Sequence, residues 1–307
     1  MGHSRETCGK LVLDCGGGLG NQMFEYAAAL SFAKRWNRQL EVVQPIKKHA
    51  QWNNFSRPFQ LEEFDISAKV REATLLDRLF FSRNARLDTV RNLFNTMLGV
   101  ETITERQIYR FENLQPRKAK SNVYVVGNWQ DIGYFAQDDV RLRKEFTFKM
   151  PPMRQNAEYA RHIQSLPCPV SVHLRLGDYA QIFSATGVSM VLSKGYYEAA
   201  LAFVNRQFPK ATLIVFSDDI PQAKELLRDR ARCLFIEGNT PDTAHEDMRL
   251  MAMCHHHVMA NSSFSWWGAW LNPRLDKQVF VPRYWGNTAD SDYPGLRLPG
   301  WIALDHI

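Results

Sequence analysis

The 307-residue sequence predicts an α/β fold built from parallel sheets. Short hydrophobic runs of strand length alternate with segments whose apolar residues recur at helical spacing, and the strand runs lack polar alternation. Strands of this kind are buried on both faces, which is typical of a parallel sheet covered by helices. Two adjacent prolines, Pro151 and Pro152, exclude both a helix and an interior strand. We therefore predict two α/β domains, residues 1–152 and 153–307.

Composition narrows the class of protein. A hydrophobic content of 45% is enough for a sizeable core. A net charge of +6 on this length does not indicate nucleic-acid binding, and a compact anionic ligand is sufficient to explain it. The five cysteines form no Cys-x-x-Cys pair, which predicts a reducing compartment. We expect a cytoplasmic protein without a membrane-spanning segment.

One segment, residues 69–120, differs from the rest of the chain in composition. Residues 69–120 carry apolar residues at helical spacing among eleven Lys and Arg and six Asp and Glu. This pattern predicts one or two amphipathic helices. Their basic surface is either an ordinary solvated face or a peripheral contact with anionic membrane lipid.

The first domain begins with a predicted βαβ unit. Residues 11–14 form the first strand, residues 16–20 a glycine turn, residues 22–36 a helix and residues 40–43 the second strand. The glycines resemble a dinucleotide-binding turn, but Asn21 stands where the third glycine of that pattern belongs. We therefore interpret the turn as a close backbone approach to another ligand.

Polar clusters follow three predicted strands of the second domain. The strand at 170–174 is followed by Arg175, the strand at 213–216 by an Asp pair, and the strand at 258–260 by a serine-rich run. Because the carboxyl ends of parallel strands line the ligand crevice, these clusters are expected to meet at one site. Each cluster alone also fits a helix cap.

The residue types in these clusters indicate nucleotide binding. A guanidinium such as that of Arg175 binds a phosphate through two N–H groups, and serines at a helix start add further donors. Asp218 or Asp219 would accept two hydrogen bonds from the N1–H and 2-amino group of guanine, which adenine cannot offer. Guanine is therefore favoured over adenine.

Other conspicuous runs indicate structure rather than a site. The consecutive residues Cys254 to His257 point in different directions and cannot enclose one metal ion. Asp290 and Asp292 lie in a polar loop bounded by glycine and proline, which is typical of a solvated turn. Three tryptophans at helical spacing are interpreted as core residues: Trp266, Trp267 and Trp270.

Four stretches together resemble the α-1,2-fucosyltransferases of glycosyltransferase family 11, of the bacterial type. They are GGLGNQMF at 17–24, VHLRLGDY at 172–179, FSDD at 216–219 and ANSSFSWWGAWL at 260–271. The resemblance implies a GT-B-like architecture, with two Rossmann-like α/β domains facing a central cleft. It also implies that the second domain holds GDP-fucose, that the first holds the acceptor, and that no metal is required.

The resemblance also implies residue roles. Arg175 is expected to grip the β-phosphate, His173 and Asp218 to contact guanosine, and Asn21 to reach the donor from the first domain. The other implied donor contacts are Asp219, Asn261, Ser262, Ser263, Phe264 and Ser265. Many relatives carry a second arginine where this chain has Leu176, so Arg175 is the only arginine of its motif.

The predicted reaction moves L-fucose from GDP-β-L-fucose to the 2-hydroxyl of a galactose-terminated glycan and inverts the anomeric carbon. Arg175 is the candidate for stabilising leaving-group charge, and Asp178 is either a base or a residue that fixes its loop. Candidate acceptor contacts are Trp129 and Gln130. The alternatives are a fucosyltransferase of another linkage, α-1,6 or protein O-fucosylation, and a non-catalytic protein that binds nucleotide sugars.

Overall fold

A computed structural model describes residues 9–44, 57–82, 87–105, 122–177, 190–230, 232–286 and 291–305. The chain divides into two compact units, Met1–Thr147 and Phe148–Ile307. This division lies just before Pro151 and Pro152, whereas the sequence places the boundary just after them.

The N-terminal unit contains a parallel sheet. Its strands are β1 (Lys10–Asp14), β2 (Gln39–Val43), β3 (Lys69–Arg71), β4 (Glu101–Thr104) and β5 (Val123–Val126). They are ordered β3-β2-β1-β5-β4, and every pair is parallel. The three central strands are those that the sequence predicts. The edge strands β3 and β4 are short and polar, so they lack the hydrophobic run by which a buried strand is recognised.

The helices of this unit are α1 (Leu19–Arg35), α2 (Leu75–Phe80), α3 (Asp88–Leu98) and α4 (Asp139–Glu145). Helix α1 begins within the glycine turn at Leu19, three residues before the predicted start at Gln22. Its predicted core face is confirmed, because Met23, Ala27 and Leu30 are buried. One or two amphipathic helices were expected within residues 69–120, and α2 and α3 lie there.

The C-terminal unit contains a second parallel sheet. Its strands are β6 (Pro169–Leu174), β7 (Thr212–Ser217), β8 (Cys233–Phe235), β9 (His256–Val258), β10 (Val279–Pro282) and β11 (Ile302–Leu304). They are ordered β11-β10-β9-β6-β7-β8. Strand β9 begins two residues earlier than predicted. The imidazole of His257 contacts Asn272 at 2.8 Å, so a buried histidine is satisfied inside the strand.

The helices of this unit are α5 (Gln155–Ser165), α6 (Lys194–Gln207), α7 (Ile220–Leu226), α8 (Ala244–Ala252) and α9 (Ser263–Leu271). Helix α9 packs tightly on α8, since a Cβ at Gly268 would lie 2.9 Å from the Cβ of Met251. Trp266, Trp267 and Trp270 are buried, which confirms their predicted core role.

No helix in the described ranges is both long and apolar enough to cross a membrane.

Candidate active site

The polar clusters of the C-terminal sheet meet at adjacent strand ends. Strand β6 lies between β7 and β9, so the residues that follow these three strands share one edge. Arg175 Nε lies 3.4 Å from Asp218 Oδ2, and this ion pair joins the ends of β6 and β7. The rings of His173 and Phe264 lie 5.8 Å apart, which joins β6 to the start of α9. The predicted convergence of these clusters is confirmed.

The carboxylate of Asp218 holds the loop that carries Arg175. Its Oδ1 accepts hydrogen bonds from the backbone N–H groups of Leu176 at 2.8 Å and Gly177 at 3.1 Å. Burial raises the pKa of Asp218, but Arg175 and the two N–H groups outweigh it and hold the pKa below its usual range. Asp218 is therefore an anion that orients the guanidinium, and its predicted contact with guanosine stays a prediction.

Two neighbouring residues show why this loop is compact. A Cβ on Gly177 would lie 3.3 Å from Asp218 Oδ2, so a larger residue would press on the carboxylate. The Leu176 side chain is buried in the core. A second arginine at that position would place a charge among apolar groups, whereas leucine adds to the core.

His173 is a neutral, buried imidazole at the end of β6. Burial and the nearby Arg175 lower its pKa far below the usual value, against a smaller opposing effect of Asp218. Its Nδ1 has no hydrogen-bond partner among the described residues, although the side chain is buried. A ligand that offers a hydrogen-bonding group would satisfy this atom, so the contact of His173 with guanosine stays a prediction.

Two members of the serine-rich run fix the backbone. Asn261 Nδ2 donates to the carbonyl oxygens of Met190 at 2.9 Å and Trp285 at 2.8 Å. The buried Ser265 Oγ donates to the carbonyl oxygen of Ala260 at 3.4 Å. These side chains hold together the loops around α9, and their predicted donor contacts stay predictions.

The start of α9 has a helix cap. Ser262 Oγ accepts a hydrogen bond from the N–H of Phe264 at 3.3 Å, and Ser263 and Phe264 are half-buried. The positive end of the α9 dipole therefore lies at the same sheet edge as Arg175. The cap that the sequence left as an alternative is present, and the helix start itself is suited to an anion.

Asp219 is a cap for α7. Its Oδ1 accepts from the N–H of Gln222 at 3.0 Å, and its own N–H donates to Ser217 Oγ at 3.1 Å. Of the two aspartates considered for guanine, Asp219 thus has the helix-cap role that the sequence offered as its alternative. Asp178 and Asp290 lie outside the described residues.

The carboxyl edge of the N-terminal sheet carries a neutral pair. Gln130 Nε2 donates to Asn21 Oδ1 at 3.0 Å, which joins the loop after β5 to the first turn of α1. Gly17 has φ +70°, and a Cβ there would lie 3.0 Å from the Asn21 amide nitrogen. Only glycine adopts this turn without strain. A predicted donor contact and a predicted acceptor contact are thus direct neighbours.

Trp129 has a different role from the one predicted. Its side chain is fully buried and packs edge-on against Phe32 and Tyr134, so it has no surface to offer an acceptor. Its backbone is left-handed, with φ 51°, although it is not glycine. Glu105 Oε2 accepts from the N–H groups of Asn128 and Trp129, each at 2.8 Å. This strained turn holds Gln130 at the sheet edge.

Two acidic residues with notable contacts, Glu105 and Asp247, were not identified from the sequence. Glu105 follows β4, and an acid at the end of a strand would have indicated a site had β4 been predicted. Asp247 lies in the first turn of α8 and accepts from Asn239 Nδ2 at 2.6 Å. Burial raises the pKa of Asp247 to about 6, with a smaller contribution from Glu246.

The consecutive histidines have separate partners. His256 Nδ1 accepts from the N–H of Gln278 at 3.0 Å and its ring stacks on Phe208, while His257 contacts Asn272. Within the part of the chain that the structure describes, no group of three His, Cys, Asp or Glu residues could hold a metal ion.

Comparison with solved structures defines the fold class. The chain is similar to the fucosyltransferase NodZ from Bradyrhizobium, with a TM-score of 0.52, 13% identity, and coverage of 88% of this chain and 94% of that one. Together with the two parallel α/β sheets, this likeness confirms the predicted GT-B-like class.

Sequence comparison gives the family. The profile of Glycosyl transferase family 11 matches residues 5–304, so the chain belongs to that family. It is 27% identical to the O-antigen biosynthesis glycosyltransferase WbnK of Escherichia coli, over 94% of this chain and 98% of that protein. It is 30% identical to an alpha-1,2-colitosyltransferase of Escherichia coli, over 85% of this chain and 87% of that protein.

Proposed function

We propose that this family 11 enzyme transfers L-fucose from GDP-β-L-fucose to the 2-hydroxyl of a galactose in a glycan, forming an α-1,2 linkage with inversion. The observation that carries the proposal is the ion pair of Arg175 and Asp218 at adjacent strand ends. A guanidinium held in a fixed plane suits a diphosphate. The alpha-1,2 linkage in the name of a relative supports the choice of hydroxyl.

The chemistry requires a stabilised leaving group. An oxocarbenium-like transition state leaves negative charge on the β-phosphate as the bond to the sugar breaks. Arg175 and the start of α9 are preorganised positive groups at one sheet edge, and such groups supply much of the rate enhancement of enzymes. The neutral His173 beside them would contact the nucleoside without adding charge.

The acceptor is proposed to bind at the carboxyl edge of the N-terminal sheet. Gln130, held by Asn21, offers a neutral hydrogen-bonding amide there, which suits sugar hydroxyls, and Asn21 beside it is proposed to reach the donor. The strained turn at Trp129 supports this proposal, because strain of this kind persists where a functional group must be held in place. The Glu105 carboxylate is the positioning group for that turn.

Transfer is further proposed to need no metal ion. The described residues supply no cluster of metal ligands, and Arg175 with the α9 start provides positive charge. Activity in EDTA should match activity without it. Loss of turnover in EDTA with recovery on adding Mn²⁺ or Mg²⁺ would contradict this proposal.

One observation supports a second candidate for the sugar donor, GDP-colitose. The relative at 30% identity is named for colitose, which is the 3-deoxy analogue of fucose. A site that hydrogen-bonds the 3-hydroxyl rejects such an analogue by about 10⁴-fold or more, whereas an apolar pocket discriminates weakly. The ratio of kcat/KM for GDP-fucose and GDP-colitose decides between the two donors.

The test is a transfer assay with purified protein, GDP-fucose and a panel of galactose-terminated oligosaccharides. We expect GDP release that depends on acceptor, and NMR of the product should show fucose on the galactose 2-hydroxyl. A different linkage would favour the other fucosyltransferases considered. Donor binding without release of GDP, with any acceptor, would favour a non-catalytic binding protein.

A further inference from the structure

A buried amide of α1 holds the glycine turn between β1 and α1. Gln22 is fully buried, and its Nε2 donates to the carbonyl oxygens of Gly17 at 2.9 Å and Pro58 at 2.8 Å. Its Oε1 accepts a hydrogen bond from the N–H of Gln60 at 2.9 Å. Both N–H groups and the oxygen of this amide are therefore used. The amide joins the glycine turn to residues 58–60.

A carboxylate holds the same turn at a second point. Glu25 lies three residues after Gln22 on α1 and is buried, and its Oε2 accepts from the N–H of Gly16 at 2.8 Å. One N–H group and one carbonyl oxygen of the turn are thus bound by side chains of the helix that follows it. Leaving either group unpaired would cost stability, so both side chains stabilise the fold.

The turn also supports the polar pair at the carboxyl edge of the N-terminal sheet. The Asn21 side chain lies against Gly17, since a Cβ on Gly17 would lie 3.0 Å from Asn21 Nδ2 and 3.4 Å from Asn21 Cβ. Asn21 Oδ1 in turn accepts from Gln130 Nε2 at 3.0 Å. Direct contacts therefore connect the buried amide of Gln22, through the turn, to the amide of Gln130.

We propose that Gln22 is a positioning residue for the sugar acceptor: its buried amide fixes the glycine turn, and the turn fixes the amide of Gln130 through Asn21. This role rests on the proposed function, because it is the acceptor contact of Gln130 that gives the position of the turn a kinetic consequence. Glutamine offers two N–H donors and an oxygen on one planar group, so glutamate, which has the same shape, cannot replace it.

The test is the KM of Gln22→Glu for the sugar acceptor, measured with GDP-fucose and the galactose-terminated oligosaccharide that the wild type uses best. Glutamate keeps an oxygen for the N–H of Gln60 but turns a second oxygen, in place of the two N–H donors, toward the carbonyl of Gly17. We expect this KM to rise about threefold to tenfold, because the hold on the turn is lost. The double variant Gln22→Glu/Gln130→Ala should match Gln130→Ala alone, since both changes act on one contact.

The matched control is Ser31→Ala, which removes another buried hydrogen bond of the same helix. Ser31 Oγ donates to Asp138, and Ser31 lies about 14 Å along α1 from Gln22. This variant should lower the melting temperature but leave the KM for the sugar acceptor at the wild-type value. A loss of helix stability is thereby separated from a displaced turn.

Several outcomes would overturn the positioning role while transfer by the wild type stands. They are a wild-type KM in folded Gln22→Glu, independent multiplying effects in the double variant, and an equal rise in KM for Ser31→Ala. If Gln22→Glu does not fold, Gly17→Ala decides: its Cβ would press on the Asn21 amide, so the KM should rise, and an unchanged KM would overturn the role. Absence of transfer by the wild type would instead contradict the proposed function, and the positioning role with it.

Discussion

The carboxyl edges of the two sheets carry different kinds of polar group. At the C-terminal sheet, Arg175 and Asp218 form an ion pair, and the start of α9 adds a positive helix end. At the N-terminal sheet, the corresponding edge carries the neutral amides of Asn21 and Gln130 over a glycine turn. The same topological position thus suits a charged ligand in one unit and an uncharged one in the other.

The two edges also differ in how the chain holds them. In the C-terminal unit a carboxylate, Asp218, binds the guanidinium and two backbone N–H groups of its loop. In the N-terminal unit a carboxylate, Glu105, binds two backbone N–H groups of a strained turn, and the next residue, Gln130, is a neutral amide. A carboxylate thus positions the backbone at both edges, and within the described ranges it is Asp218 that also pairs with a cation.

The largest effect is expected at the carboxyl edge of the C-terminal sheet, from Arg175→Lys compared with Arg175→Ala. Lysine keeps the charge but loses the planar pair of N–H donors, so both variants should lower kcat about a hundredfold to a thousandfold. The contact strengthens as the bond to the sugar breaks, so the KM for the donor should change less. If the lysine variant retains more than about a tenth of the wild-type kcat, Arg175 is not the phosphate clamp.

A smaller effect is expected at the residue that orients the arginine. Asp218→Asn replaces an acceptor oxygen with an N–H₂ donor that faces either Arg175 or the backbone N–H groups. We expect kcat to fall about tenfold to a hundredfold, as for one weakened electrostatic contact. Steady-state kinetics on folded protein measure it. Asp229→Asn is the matched control, because that carboxylate lies exposed on the surface and activity should be unchanged.

The carboxyl edge of the N-terminal sheet, with its neutral amides, is tested by Gln130→Ala. Losing one hydrogen bond to a sugar should raise the acceptor KM about tenfold, with donor KM near the wild-type value. Glu105→Gln should move the acceptor KM in the same direction, because it weakens the acceptor that holds the turn at Trp129. A change confined to the donor KM would place Gln130 on the donor side instead.

Sequence reasoning recovered the parts of the fold that depend on local hydrophobic pattern. The central strands β1, β2, β5, β6 and β7 are mostly apolar, and these were predicted. The edge strand β4 reads Glu-Thr-Ile-Thr and is paired on one side only, so its composition carries little of that signal. Missing β4 also meant missing Glu105, which follows it.

Within the site, the sequence identified strand-end clusters but not the role of each member. Ser262 and Asp219 have the residue types of both a cap and a ligand contact, and only coordinates reveal the N–H groups that they accept from. Trp129 illustrates the same limit. Its aromatic ring could stack on a sugar, but the ring is buried against Phe32 and Tyr134. Phe32 is distant in sequence, and Tyr134 lies on the other side of the turn, so the sequence around Trp129 does not reveal this burial.

The smallest expected effect concerns Asp247, a half-buried acid outside both edges. Its pKa is about 6 when folded and about 3.9 when unfolded, so the folded state binds the proton more tightly. The associated stability is fully present below about pH 4 and is lost as pH rises through about 6.

Asp247→Asn keeps an acceptor for Asn239 without the charge. Its melting temperature relative to the wild type should therefore increase between pH 4 and pH 8, whereas that of Asp229→Asn, an exposed control, should not. A pH-independent difference for Asp247→Asn would show that folding does not raise the pKa of Asp247.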